Sequence, residues 1–137
     1  MTGLVVCVAV LAVAGAFGVL HRQRSGRVRV RGRDDGKRLG AAELGGALGE
    51  RATLVQFSSA FCAPCRATRR ILGEVAGLVP GVTHVEIDAE DRLELVRELD
   101  ILKTPTVLVL DADGRVVRRA TGQPRKADVI AALREAV

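Results

Sequence analysis

Cys62 and Cys65 are the residues of this chain best suited to chemistry. They lie in the stretch Phe57-Ser58-Ser59-Ala60-Phe61-Cys62-Ala63-Pro64-Cys65-Arg66. The run before it, Ala52-Thr53-Leu54-Val55-Gln56-Phe57, is apolar and β-type, and residues 66–78 suit a helix. The pair therefore sits at a strand-to-helix junction. Free N–H groups and the positive dipole end of a helix stabilise a thiolate, which favours Cys62 as a nucleophile. Pro64 fits the first helical turn, where a backbone N–H has no partner anyway. Cys65 lies one turn further on and can close a disulfide back to Cys62.

The same spacing also suits zinc, but a structural zinc site needs about four ligands. His84 is the only other candidate in the globular part, with Cys7 and His21 near the N-terminus. The ligand count fails, so no metal and no cofactor is expected. With three cysteines in 137 residues, a disulfide-stapled scaffold is excluded. Length allows one ordinary domain plus a short appendage.

The net charge of +5 is local. Six arginines fall between Arg22 and Arg33, and no acid precedes Asp34. Beyond Arg33 there are 15 Lys plus Arg against 16 Asp plus Glu, so the folded part is near neutral. Three Phe and no Tyr or Trp leave no stacking platform for single-stranded nucleic acid, and no nucleic-acid partner is expected.

Residues 3–20 carry no charged or strongly polar side chain. That run is just long enough to cross a bilayer. It lacks a basic flank before it, and the Ala12-Val13-Ala14 triplet lies inside the run, which argues against a cleaved signal peptide. The reading is an uncleaved single-pass anchor over 3–20 in the cell membrane, a basic juxtamembrane linker over 21–40 and a globular domain over 41–137. Cys7 reads as a small apolar residue of the anchor. The positive-inside rule puts the arginine side, and so the domain, in the cytoplasm, with extracytoplasmic placement as the alternative. The arginines suit anionic headgroups or a plain stop-transfer flank. Arg27-Val28-Arg29-Val30-Arg31 alternates and also suits a short edge strand.

The globular part reads as a Gly-weakened helix over 41–48, a strand over 53–58 and a helix over 63–78. A strand over 82–87 and a helix over 92–99 follow, the latter with Leu93, Val96 and Leu99 on one side. A strand over 106–110 turns at Asp111-Ala112-Asp113-Gly114 into a strand over 115–120, and Pro124 opens a last helix. The order predicts an α/β fold: a mixed sheet of two parallel strands and an antiparallel hairpin, with helices on both faces.

This order, with Cys-Ala-Pro-Cys after the first of these strands and Thr104-Pro105-Thr106 before the hairpin, resembles the thioredoxin superfamily over about residues 41–137. The resemblance implies that Pro105 is cis and lies against the disulfide. It implies that Thr104 offers backbone hydrogen bonds to a substrate, and that Gly122 borders the substrate groove with Phe61, Ala63 and Pro64. Four departures stand out. Gln56 replaces a buried acid that helps deprotonate the second cysteine, and His84 replaces the lysine facing that acid. Phe61 and Ala63 replace Trp and Gly in the motif.

The resemblance implies thiol–disulfide exchange. Cys62 attacks a substrate disulfide and Cys65 resolves the mixed disulfide. Protein thiols and disulfides are the expected substrates, served by a thiol-redox electron donor or acceptor. A cytoplasmic domain favours a protein-disulfide reductase. Gln56, His84 and Arg66 are expected modulators, although Arg66, Arg69 and Arg70 also read as a solvated helix face. The alternative is a redox-inert thioredoxin-like docking module, because fold alone does not fix function.

Overall fold

The computed structural model describes residues 1–24, 28–29 and 37–137. Helix α1 (Thr2–Arg24) comes first. Its Thr2–Arg22 segment has mean hydropathy 2.7, and none of its apolar window is buried against the rest of the chain. It is long and apolar enough to cross a membrane. The globular elements are β1 (Val28–Arg29), α2 (Ala41–Leu44), β2 (Ala52–Ser58), α3 (Ala63–Leu78) and β3 (Val82–Asp88). Then come α4 (Leu93–Glu98), β4 (Thr106–Asp111), β5 (Val116–Thr121) and α5 (Lys126–Ala136).

The strands form one mixed sheet in the order β1-β5-β4-β2-β3. β2 runs parallel to β3 and antiparallel to β4, and β4 is antiparallel to β5. Every residue of β2 is buried, as expected for a central strand covered on both faces. Its period of two then sorts side chains into two cores. Val55 and Phe57 point to one face with Leu108 and Leu110, beneath Leu44, Leu95 and Leu99. Ala52 and Leu54 point to the other with Val107 and Val109, beneath Leu72 and Val75 of α3 and Val129 and Leu133 of α5. Gln56 follows Leu54 by two residues, so it faces α3. Across the parallel ladder Leu54 pairs with His84 and Gln56 with Glu86, which brings His84 and Glu86 to the same face.

Several local expectations are corrected. Helix α2 stops at Leu44 rather than 48, because Gly45 turns left-handed at φ 70° and ends it. Of the stripe expected on α4, Leu99 at its C-cap is buried and Val96 packs against the same core, but Leu93 is 56% exposed and Leu95 is the buried residue within the helix. Pro124 lies just before Arg125, the N-cap of α5, rather than in its first turn. The edge-strand reading holds at Val28–Arg29, which pair with Ala120 and Arg119; Arg27, Val30 and Arg31 lie outside the described residues. Leu39, within the stretch expected to be linker, is buried and its N–H donates to the Gly114 carbonyl at 2.8 Å. Gly114 has φ 82°, and a Cβ there would lie 2.2 Å from the Leu39 carbonyl oxygen, so the hairpin turn and the docked segment both require glycine.

Enclosure decides what truncation does. Leu72→Ala, at a side chain with no exposure beneath the helix that carries the cysteines, should lower the unfolding free energy by about 2–5 kcal/mol. Leu93→Ala should stay within about 0.5 kcal/mol of the parent. Urea unfolding of both variants checks this, and equal losses would contradict the assigned faces of α3 and α4.

Candidate active site

Strand β2 delivers the chain to the site and α3 receives it. Between them Phe61 has φ 56°, an unusual conformation for a bulky side chain, and its ring is fully exposed. Cys62 is the N-cap of α3 and Pro64 lies in the first turn. The two sulfurs are bonded, with Cα atoms 5.2 Å apart. The backbone N–H of Cys65 also donates to Cys62 Sγ at 3.2 Å. A helix N-terminus thus points at the sulfur, an arrangement that favours thiolate over thiol when the bond is open. Exposure separates the two cysteines: Cys62 is partly accessible and Cys65 is 1% exposed.

The loop before β4 closes the other side. The Thr104–Pro105 peptide bond is cis. Pro105 is buried, and its carbonyl accepts from the N–H of Gly122 at 2.8 Å. Gly122 has φ 86°, a left-handed conformation that suits glycine. The Ser59 and Thr104 hydroxyls are 2.7 Å apart and tie this loop to the one that carries the cysteines. Ala63 and Pro64 are exposed on the first turn of α3, as is Arg66.

Beneath the disulfide lies a buried polar chain. Gln56 has no exposure, and its Nε2 donates to the Cys65 carbonyl at 2.8 Å and to Ser58 Oγ at 2.9 Å. Its Oε1 meets His84 Nε2 at 3.1 Å. Glu86, two residues further along β3, takes two 2.6 Å hydrogen bonds from Arg69 of α3. The expected solvated face of α3 is therefore divided. Arg66, Arg69 and Arg70 are all exposed, but Arg69 is also held bidentately by Glu86. Among the described residues no three of His, Cys, Asp and Glu converge in a way that would hold a metal ion.

The structure gathers Cys62, Cys65, Phe61, Ala63, Pro64 and Arg66 on one junction. It places Thr104, Pro105 and Gly122 together and links Gln56 to His84. Sequence reasoning missed Ser58, Ser59 and the Arg69–Glu86 pair. For Ser58 a signal existed: it lies two residues beyond Gln56 and so on the same face. Ser59 gave none, because its partner Thr104 is distant in sequence.

Burial pushes the His84 pKa below its ordinary value of 6.5; Glu86 acts in the opposite direction and Arg69 adds to the lowering. The unfolded chain therefore binds this proton more readily than the folded one. This contribution to stability is therefore complete above about pH 6.5 and is lost as pH falls through the folded-state value. Urea unfolding near pH 7.5 and near pH 5 should show a steeper acid loss in the parent than in His84→Gln. Equal losses in the two proteins would contradict the assignment.

Comparison with known proteins agrees with this geometry. The Thioredoxin family model matches residues 46–135. A thioredoxin from Mycobacterium tuberculosis is 31% identical over 85 residues, which is 61% of this chain and 72% of that protein. A sequence from Arabidopsis thaliana assigned provisionally as thioredoxin H10 is 32% identical over 69 residues, half of this chain and only 44% of the plant protein. Among solved structures, thioredoxin f from spinach chloroplast superposes with a TM-score of 0.56 at 24% identity, covering 64% of this chain and 78% of that one. A Halobacterium salinarum thioredoxin variant gives a TM-score of 0.58 at 17% identity, covering 64% and 75%. These structural likenesses speak to the fold. The family model spans well over half of the residues, and the chain belongs to the thioredoxin family.

Proposed function

We propose that this chain is a membrane-anchored thiol–disulfide oxidoreductase that reduces protein disulfides. The observation that carries the reading is a partly accessible Cys62 at a helix N-terminus, bonded to a buried Cys65. In the reduced protein the Cys62 thiolate attacks one sulfur of a substrate disulfide. The substrate S–S bond breaks, a mixed disulfide forms, and the first substrate thiolate leaves and takes up a proton. Cys65, as thiolate, then attacks Cys62 Sγ. The second substrate thiol departs and the internal disulfide closes, so two electrons pass from the dithiol to the substrate. A dithiol donor must return them by the reverse exchange.

The groove residues have distinct parts in this scheme. Thr104 presents its backbone to the substrate segment beside cis-Pro105. Gly122 leaves room at the border, and Phe61, Ala63 and Pro64 form the exposed apolar rim. Arg66 adds positive field near Cys62. Residues 3–20 serve as the anchor, and the basic stretch after it leads into the domain, whose sheet already takes in Val28–Arg29 and whose core takes in Leu39. The positive-inside rule places that domain in the cytoplasm, where a reductant is the fitting direction. The uncharged Gln56, where an acid would assist Cys65, favours a second reading: a docking module without redox turnover.

Cysteine variants separate the two readings. Cys62→Ser should abolish reduction of a protein disulfide, a loss of at least about a hundredfold. Cys65→Ser should accumulate a mixed disulfide through Cys62, visible as a substrate mass adduct on the full chain. Retained function in Cys62→Ser would support the docking module and overturn the exchange reading.

A further inference from the structure

Resting on the exchange reading above, we propose that His84 is a positioning residue for Cys65. It fixes the amide of Gln56 so that this amide holds the Cys65 carbonyl and sets how readily Cys65 closes on Cys62.

The two ends of an amide are nearly the same shape, so its neighbours decide which end points where. The Cys65 carbonyl can only accept, which requires the NH2 end of Gln56 on that side. Its second N–H goes to Ser58 Oγ. Only Oε1 then remains for His84, and the imidazole must donate from Nε2. Chain direction is thus His84 to Gln56 to Cys65. Neutral His84 with its proton on Nε2 meets this need, and so does the imidazolium. The reversed amide would set Oε1 against the Cys65 carbonyl oxygen at 2.8 Å, a repulsive contact between two acceptors.

The same direction excludes a relay of the usual kind. Gln56 has no proton to lose, and its bond reaches the Cys65 backbone rather than the sulfur. What the chain supplies is position. The Cys65 carbonyl lies in the first turn of α3, and Gln56 ties that turn to the central strand. Glu86 and Arg69 brace the neighbouring turn across the same face. Losing the donor at His84 leaves Oε1 of Gln56 without its partner, so the amide is held less firmly and the first turn can shift, without touching Cys62.

The test uses the full chain in detergent, with Cys7→Ala to remove the unrelated thiol. The reduced protein is mixed with 5,5′-dithiobis(2-nitrobenzoate), a small aromatic disulfide. Attack by Cys62 releases the first thionitrobenzoate, and attack by Cys65 on Cys62 releases the second. His84→Leu should leave the first phase within about twofold and slow the second by about tenfold. His84→Gln, which retains an N–H donor, should recover most of the second phase. In a Gln56→Leu background His84→Leu should add nothing. An unchanged second phase in His84→Leu, or an equal slowing in the Gln56→Leu background, overturns the proposal. If His84→Leu alone does not fold, Gln56→Leu carries the test, and an unchanged second phase there overturns it. Absence of both phases in the parent would instead sink the exchange reading itself.

Discussion

A buried amide must have its donors and acceptor matched, and in this chain that requirement falls on Gln56. The side chain has no exposure and offers two donors and one acceptor. Each unmet group would cost about 1–3 kcal/mol. Among the described residues no buried side-chain polar atom lacks a partner. Meeting the demand of Gln56 takes three separate elements: Ser58 from its own strand, Cys65 from α3 and His84 from β3. The central strand, its parallel neighbour and the helix that carries the cysteines thus meet at this one side chain. A slip of one residue between β2 and β3 would send His84 to the opposite face.

The consequence for chemistry is an asymmetry between the two cysteines. Cys62 has electrostatic help from the N-terminal end of α3, including the Cys65 N–H at 3.2 Å. Cys65 is buried and meets a neutral amide at its carbonyl, with no carboxylate contributed by position 56. In the proposed exchange the first attack therefore draws on charge stabilisation and the second on placement. The groove side is likewise held by neutral contacts, the Ser59–Thr104 hydroxyl pair and the Pro105–Gly122 backbone bond. Charged contacts lie further out, where Arg69 and Glu86 join α3 to β3.

Much of this was legible in the sequence, for local reasons. Helix α3 was bounded correctly at Ala63 and Leu78 because Pro64 marks its start and Pro80-Gly81 its end. Continuous apolar runs found β2 and β4, and alternation found β3, each to within a residue or so, and the resemblance led to the cis bond at Pro105. What failed has separate causes. Helix α2 ends early because Gly45 turns left-handed, a local effect, whereas in the expected α4 stripe Leu99 and Val96 do meet the core but Leu93 gives way to Leu95, which only the packing of the helix decides. Ser59 and Arg69 gained their partners only when β4 and β3 were brought alongside. The N-terminal helix was plain from hydropathy, and it is long and apolar enough to cross a membrane.

In the proposed function Cys62 and Cys65 interconvert reversibly between dithiol and disulfide at a potential suited to giving electrons. A redox titration of the full chain, following both cysteines by thiol alkylation and mass, tests it most directly. A reductant should show one two-electron transition with a midpoint toward the reducing end of such proteins, at about −270 mV. A midpoint near −120 mV would make the protein an oxidant. Failure of the two cysteines to pair anywhere between those potentials would contradict the account altogether.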